Sequence, residues 1–337
     1  LTTRRQRQMC IRDSNKKIVE VFLRIILLAS SEFSLPLLDI LNNSNHKVCA
    51  IYTQPPSISG RGMRLRDNAI GIKAKELNIQ LFYPSNINNT IEINKFKSLN
   101  PDIAIVSAYG QILSSNLLKV PKFGFLNLHP SLLPRWRGAA PIERALMSGD
   151  KETGICTIKM VRELDSGPIL AREKFVINSN ETNTSLSHKL SKIGALQLLE
   201  VINNFEFISE IPQESDGITY ASKIQKSETR INWNLSGIVV DRLIRSLSEK
   251  PGAWCILNGS RVKILNSKYV KLEGKTGHNI VSSANKSSLI IACREGAVEI
   301  ITLQKEGKKP VSAKEFLSGY KENNLSLIHI SEPTRPP

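Results

Sequence analysis

Apolar residues in this chain come in short blocks set between polar, turn-rich stretches, and the blocks alternate between two periods. Arg24–Ala29 (RIILLA) is a continuous apolar run bounded by Ser30 and Ser31, the pattern of a strand buried on both faces. Over Glu32–Leu41 the apolar positions Phe33, Leu37, Leu38 and Leu41 recur at helical spacing. Val48–Tyr52 reads as a second strand, Ala69–Leu77 as a helix, Gln80–Tyr83 and Pro101–Ser107 as further strands. Gly124–Leu128 and Gly154–Met160 continue the series, and a long helix follows at Ser185–Asn203, with Leu186, Leu190, Ile193, Leu196 and Leu199 expected on its buried face. Strands alternating with helices predict an α/β, Rossmann-like domain built on a parallel, doubly wound sheet.

The pattern changes after Glu210–Gly217 (EIPQESDG), a polar stretch rich in turn formers that reads as a linker. Beyond it come one helix (Ser236–Ser248), short strands at Ala253–Leu257, Arg261–Leu265, Ser288–Cys293 and Val298–Leu303, and a closing helix near Ser312–Lys321. That arrangement predicts a small OB-like β-barrel. The expected organisation is therefore a catalytic domain over 24–208, a linker over 209–219 and a second domain over 220–324, which suits a chain of 337 residues. Leu1–Ser14 and the Pro-rich Leu325–Pro337 lack either period and resemble translated adapter read-through; both are expected to be artefactual and stand outside the fold.

Composition narrows the classes. No apolar run approaches the roughly 18 residues needed to span a bilayer. The five cysteines are isolated, which argues against a zinc ribbon or a disulfide framework and suits a reducing, cytoplasmic setting. The histidines are equally dispersed, so no metal is expected. The turn after the first strand holds neither GxGxxG nor a P-loop, so no nucleotide cofactor is expected there. The net charge of +16 is large, and its placement matters: Tyr220–Asn324 holds 18 Lys and Arg against nine Asp and Glu, a net +9. A basic barrel suits a nucleic-acid backbone.

The densest chemistry lies in Asn127–Pro141 (NLHPSLLPRWRGAAP). Strand alternation puts Asn127 and His129 on one face, after an apolar run, hence at the carboxyl end of a sheet strand where open parallel sheets bind ligands. An Asn side-chain N–H can donate to the oxyanion that forms when an amine attacks a carbonyl, a contribution of roughly 3–4 kcal/mol to the barrier. Histidine can add a donor or move a proton between the attacking and departing nitrogens. A carboxylate would orient the ring, and the turn Leu164–Pro168 offers Asp165. Direct transfer from donor to amine needs no Ser or Cys nucleophile.

NLHPSLLPRWRGAAPIERAL, together with ETG and LDSGPIL, resembles the signature of the 10-formyltetrahydrofolate-dependent formyltransferases, and the likeness runs through nearly all of Arg24–Asn324. It implies that Asn127, His129 and Asp165 are the catalytic triad and that 10-formyltetrahydrofolate is a co-substrate. It also implies that Ser131, Leu132, Leu133 and Pro134 line the folate site, with Tyr109 and Gly110 along the pterin. The chain departs from the family at Ala29–Phe33, where Gly-Thr-Pro-Glu-Phe is usual.

The triad alone leaves the acceptor open, because glycinamide ribonucleotide formyltransferase shares it, and a formyltransferase acting on an amino sugar would also carry a C-terminal domain of this kind. The basic insertion Thr53–Arg66, with Arg61, Arg64 and Arg66, resembles the tRNA-contacting loop of the members that act on methionyl-tRNA. With the basic second domain it implies initiator methionyl-tRNA as partner and a monomeric enzyme, against the alternatives of another amine acceptor or a non-catalytic tRNA-binding relative.

Overall fold

Successive residues of β1 (Arg24–Ala29) serve two different cores, which is why its sequence is apolar without alternation. In the computed structural model, residues 22–59, 64–271, 280–282 and 288–319 are described; the two terminal extensions and Arg61 lie outside them. After β1 come α1 (Leu35–Asn42), β2 (Lys47–Tyr52), the hairpin strands β3 (Ser57–Ser59) and β4 (Arg64–Arg66), α2 (Ala69–Glu76) and β5 (Leu81–Phe82). The next elements are α3 (Thr90–Ser98), β6 (Ile103–Ser107), α4 (Ser115–Leu118), β7 (Phe125–His129), β8 (Arg137–Gly138) and α5 (Pro141–Ser148). β9 (Glu152–Lys159), β10 (Ile169–Val176) and α6 (Asn183–Asn203) complete the first half.

Seven of these strands form one sheet in the order β10-β9-β7-β6-β1-β2-β5. The five from β7 to β5 are parallel, and β9 and β10 are antiparallel additions. Ile25, Leu27 and Ala29 face the core made with Leu37, Leu38 and Leu41 of α1 and with Leu198, Val201 and Ile202 of α6. Ile26 and Leu28 face the opposite core, with Phe96 of α3 and Leu117 of α4. β7 divides in the same way: Leu126 and Leu128 enter the first core and Phe125 the second, its ring 5.7 Å from that of Phe96.

Several elements were not expected from periodicity, α3, β10 and α5 among them. α3 buries only Phe96 and so shows no apolar stripe. β10 is an edge strand whose middle, Arg172–Lys174, is charged and largely solvent-facing. α5 begins on Pro141 directly after the Pro-rich loop and stops at Gly149, which is left-handed (φ 73°). The buried face of α6 also differs from expectation: Leu186 and Leu190 are inside, but Leu196 is 62% exposed. The inward face runs instead through Gly194 and Leu198, because a Cβ on Gly194 would stand 2.8 Å from Ile155 and 3.0 Å from Leu128. A small residue brings the helix close to the sheet, and the large residues shift to either side.

The second half opens with β11 (Tyr220–Ala221), which pairs with β8, and α7 (Gly237–Ser246). β12 (Ala253–Leu257), β13 (Ser260–Val270), β14 (Ile280–Ser282), β15 (Leu289–Ala292), β16 (Ala297–Lys305), β17 (Val311–Ser312) and α8 (Ala313–Ser318) follow. The sheet order is β12-β13-β16-β15-β14, antiparallel throughout, with β17 a further partner of β16. Its core is separate, with Trp233, Val240, Ile244, Val262, Ile291, Val298 and Phe316 inside. β13 shifts register twice, on either side of Asn266, as a sheet does when it bends toward closure. The second half is thus an antiparallel-strand domain with a core of its own, and no pairing of β12 to β14 occurs among the described residues.

The halves are tied by charged groups. Arg144 of α5 donates to both carboxylate oxygens of Glu228 (2.6 and 3.1 Å). Buried Arg245 of α7 pairs with Asp241 (2.7 Å) and donates to the Glu181 carbonyl (2.9 Å) just before α6. Among the described residues, no helix is long and apolar enough to cross a membrane.

Gly154 of β9 is enclosed: a Cβ there would lie 2.2 Å from the Glu173 carbonyl oxygen and 2.4 Å from Leu132. Gly154→Ala should therefore cost about 1–3 kcal/mol, the range for overpacking a rigid site, read as a lower urea midpoint. An unchanged midpoint would refute this close packing.

Candidate active site

The apolar face of β7 ends at Phe125, and its next two positions on that face are Asn127 and His129. Both are buried, 8% and 4% exposed, so each needs defined partners. His129 Nε2 lies 2.8 Å from the Trp136 carbonyl oxygen. A carbonyl can only accept, so Nε2 carries the hydrogen and Nδ1 is the nitrogen left to the site. Trp136 is itself held in a left-handed conformation (φ 64°). Its indole donates to Asp150 (2.8 Å), its backbone N–H to Thr219 Oγ1 (2.9 Å), and the Arg135 guanidinium lies over its ring while gripping Asp150 with two hydrogen bonds.

Asp165 arrives from the loop between β9 and β10, also left-handed (φ 48°). Its Oδ1 accepts from Asn127 Nδ2 (3.2 Å), and its Oδ2 accepts from the Gly138 backbone N–H (2.8 Å). The same Oδ2 stands 3.6 Å from His129 Nδ1, ion-pair distance when the imidazole is protonated on both nitrogens. Gly138 can hold this position because its φ is 122° and a Cβ would meet the Ala221 carbonyl at 2.7 Å. The three residues singled out from the sequence therefore meet around one carboxylate, Asn127 by a hydrogen bond and His129 at ion-pair distance.

They open onto a cavity of about 690 Å³. Val106, Ala108, Tyr109, Gly110, Ile142 and Met160 are among the residues that line it with the triad. Tyr109 and Gly110 are thus part of the cavity wall. The Tyr109 ring is buried, and its carbonyl accepts from Ser30 Oγ and Gln54 Nε2 (both 3.1 Å). Ser131, Leu132, Leu133 and Pro134 do not line this cavity. Ser131 is fully buried and donates to the Arg135 carbonyl (2.7 Å), Leu133 packs against Cys156, Ile158 and Ile169, and Leu132 faces a shallower recess beside Arg135 and Asp150. In this geometry the four residues brace the loop that carries Trp136. Arg64 and Arg66 are exposed on the β3–β4 hairpin, and Arg61 is outside the described residues.

Three contributors were not foreseen. Glu143, at the start of α5, lines the cavity, and burial pushes its carboxyl above the usual range, against the opposing hydrogen bond of Asn183. Gln213 donates from Nε2 to the carbonyls of Asp165 (2.7 Å) and Gly167 (2.8 Å). Buried Arg137 donates in turn to Gln213 Oε1 (3.0 and 2.7 Å). A glutamine inside a polar linker and an arginine inside a basic motif give no local signal of either role.

The chemistry is bounded by what His129 touches. Its Nε2 is held by a carbonyl and its Nδ1 faces the Asp165 carboxylate, and among the described residues no Ser hydroxyl is hydrogen-bonded to it as in a Ser–His pair for covalent catalysis. The neighbouring Cys156 thiol is buried and pushed up by that burial, away from thiolate reactivity. Among the described residues, no group of three or more His, Cys, Asp and Glu could hold a metal ion. An amide donor and an imidazole fixed by one carboxylate define a site for direct group transfer.

Comparison with known proteins agrees with this class. The formyl transferase family matches residues 23–202, and the formyl transferase C-terminal domain matches residues 223–321. Methionyl-tRNA formyltransferase of Paracoccus denitrificans is 41% identical over 297 residues, covering 88% of this chain and 97% of that protein. Among solved structures, an N-formyltransferase from Helicobacter canadensis in complex with folinic acid and dTDP-3-aminofucose aligns at TM-score 0.60 and 17% identity, over 84% of this chain and 100% of that one. HypX from Aquifex aeolicus in complex with tetrahydrofolic acid aligns at 0.60 and 17%, over 88% of this chain, which spans about half (47%) of HypX. The two structural likenesses are of fold. The chain belongs to the formyl transferase family.

Glu143 gives a pH dependence with a defined sign. A raised pKa means that the folded state holds the proton more tightly than the unfolded chain does. The stabilisation is complete below the ordinary carboxyl range and is lost as pH rises through the raised value. Glu143→Gln should therefore gain on the parent in urea midpoint as pH goes from about 4 to about 8. A constant difference between the two across that range would show that Glu143 is not desolvated.

Proposed function

We propose that this chain transfers the formyl group of 10-formyltetrahydrofolate to the α-amino group of initiator methionyl-tRNA, with Asn127, His129 and Asp165 as its catalytic residues. The observation that carries the reading is the joint hold of one carboxylate on Asn127 and His129 at the wall of a cavity of about 690 Å³. That volume and the mixed lining suit a pterin ring, with Tyr109 and Gly110 along it.

Asn127 spends one Nδ2 hydrogen on Asp165 Oδ1, which leaves the second for the oxyanion that develops as the amine attacks the formyl carbon. His129 has Nε2 committed to Trp136, so Nδ1 is the nitrogen that accepts the proton of the attacking amine. As the new carbon–nitrogen bond forms, the bond to N10 of the folate breaks, and the same proton passes to that nitrogen. Asp165 Oδ2, 3.6 Å away, balances the transient charge on the imidazole.

For the acceptor, support comes from the exposed Arg64 and Arg66, the net +9 of Tyr220–Asn324 and the 41% identity to a methionyl-tRNA formyltransferase. Arg61 belongs to the same proposed tRNA contact. Ser131, Leu132, Leu133 and Pro134 enter the reading as supports of the site. The reading goes with a monomeric, cytoplasmic enzyme.

The test is formylation by the purified protein with the folate donor, comparing methionyl-tRNA with glycinamide ribonucleotide and an amino sugar. Preference for either small acceptor would sink the proposal. Asn127→Ala should lower kcat about 10²–10³-fold, the loss typical of one oxyanion donor. Replacing Arg61, Arg64 and Arg66 with Ala should raise KM for tRNA, leave KM for the folate unchanged, and flatten the salt dependence of tRNA binding by roughly 0.7–0.9 log units per lost phosphate contact.

A further inference from the structure

We infer that Gln213 is a positioning residue of the reaction, setting Asp165, and through it Asn127 and His129, from within the segment that joins the two halves of the chain. The inference rests on the triad proposed above.

Residues 209–219 read as a linker, and from Ile211 to Ile218 Gln213 is the one side chain that is not exposed. It turns inward to use its whole hydrogen-bonding capacity. Two Nε2 hydrogens go to the carbonyls of Asp165 and Gly167, and two Oε1 lone pairs take the Nε and Nη2 hydrogens of Arg137. The amide has one workable orientation, because the flipped form would face an oxygen with two carbonyls and an NH2 with a guanidinium.

Asp165 needs such a brace. The residues before it, Val161–Leu164, are exposed, and its own backbone is left-handed. A bridge between carbonyls two residues apart, on either side of Ser166, holds that turn from outside. The linker is in turn fixed at both ends: Ile211 exchanges two backbone hydrogen bonds with Ile169 (2.7 and 3.0 Å), and the Thr219 carbonyl accepts from the Arg137 N–H (2.9 Å). Arg137 precedes Gly138, whose N–H holds Asp165 Oδ2. One amide thus joins the backbone of Asp165 to the strand that holds its carboxylate.

The experiment measures steady-state formyl transfer and urea midpoints for Gln213→Ala, Gln213→Glu, Asp165→Ala and the Asp165→Ala/Gln213→Ala double variant. Displacement of reacting groups by about 1 Å costs on the order of 10²-fold, so Gln213→Ala and Gln213→Glu should each lower kcat about 10–100-fold with KM for donor and acceptor little changed. Glutamate keeps the contact with Arg137 but loses both donations, so Gln213→Glu should equal or exceed Gln213→Ala in stability while being no more active. In the Asp165→Ala background, Gln213→Ala should cost almost nothing further. Unchanged kcat in the two Gln213 variants, activity that follows the urea midpoint, or losses that multiply in the double variant would each overturn the inference. If Asp165→Ala itself retains full activity, the proposed triad falls as well; loss there with none at Gln213 removes only this inference.

Discussion

The site depends on one carboxylate being held where three groups from two stretches of chain can reach it. Asp165 accepts from Asn127 on a central strand and from Gly138 in the loop beyond that strand, and it faces His129. A bare carboxylate in this partly enclosed position would be costly, and its hydrogen bonds offset the loss of water. The bond from Asn127 fixes which of its amide hydrogens remains for chemistry, and the Trp136 carbonyl fixes which nitrogen of His129 does. Reactivity here is decided by what is already occupied.

The sheet makes that arrangement possible. Its parallel strands are apolar on both faces until β7, where the residue after Phe125 on one face is Asn127. Core packing thus runs directly into the reaction site with no intervening flexible segment. The helix behind it, α6, approaches closely through Gly194 and presses against Leu128, between Asn127 and His129. Rigidity at Asn127 and His129 is inherited from the hydrophobic core rather than supplied by the loops.

Much of this was legible in the sequence because it is local. The strand pattern, the helical spacing after β1, and the placing of Asn127 and His129 on one face follow from periods of two and 3.6. Asp165 was legible through the family resemblance, since its contact with Asn127 spans 38 residues. What could not be read was either charged or far apart in sequence. β10 looks polar because it is an edge, α3 because it buries one ring, and Gln213 because a linker of turn formers conceals a contact 48 residues away. The stretch Ser131–Pro134 shows the opposite relation: a conspicuous motif that lies outside the cavity lining, with Ser131 bonded to the Arg135 carbonyl and Leu133 packed against Cys156, Ile158 and Ile169.

The pairing of the linker with the loop around Arg137 bears on how the chain could be taken apart. The two family matches end at residue 202 and begin again at residue 223, and Gln213 and Thr219 fall in the gap between them. By homology that gap is the natural place to cut, and by hydrogen bonding it belongs to the reaction site. A recombined protein joined there would inherit both cores and still lack the segment that steadies the backbone of its carboxylate. The unit of exchange for this chemistry is therefore larger than either domain, and a working chimera would have its seam in sequence beyond Ala221.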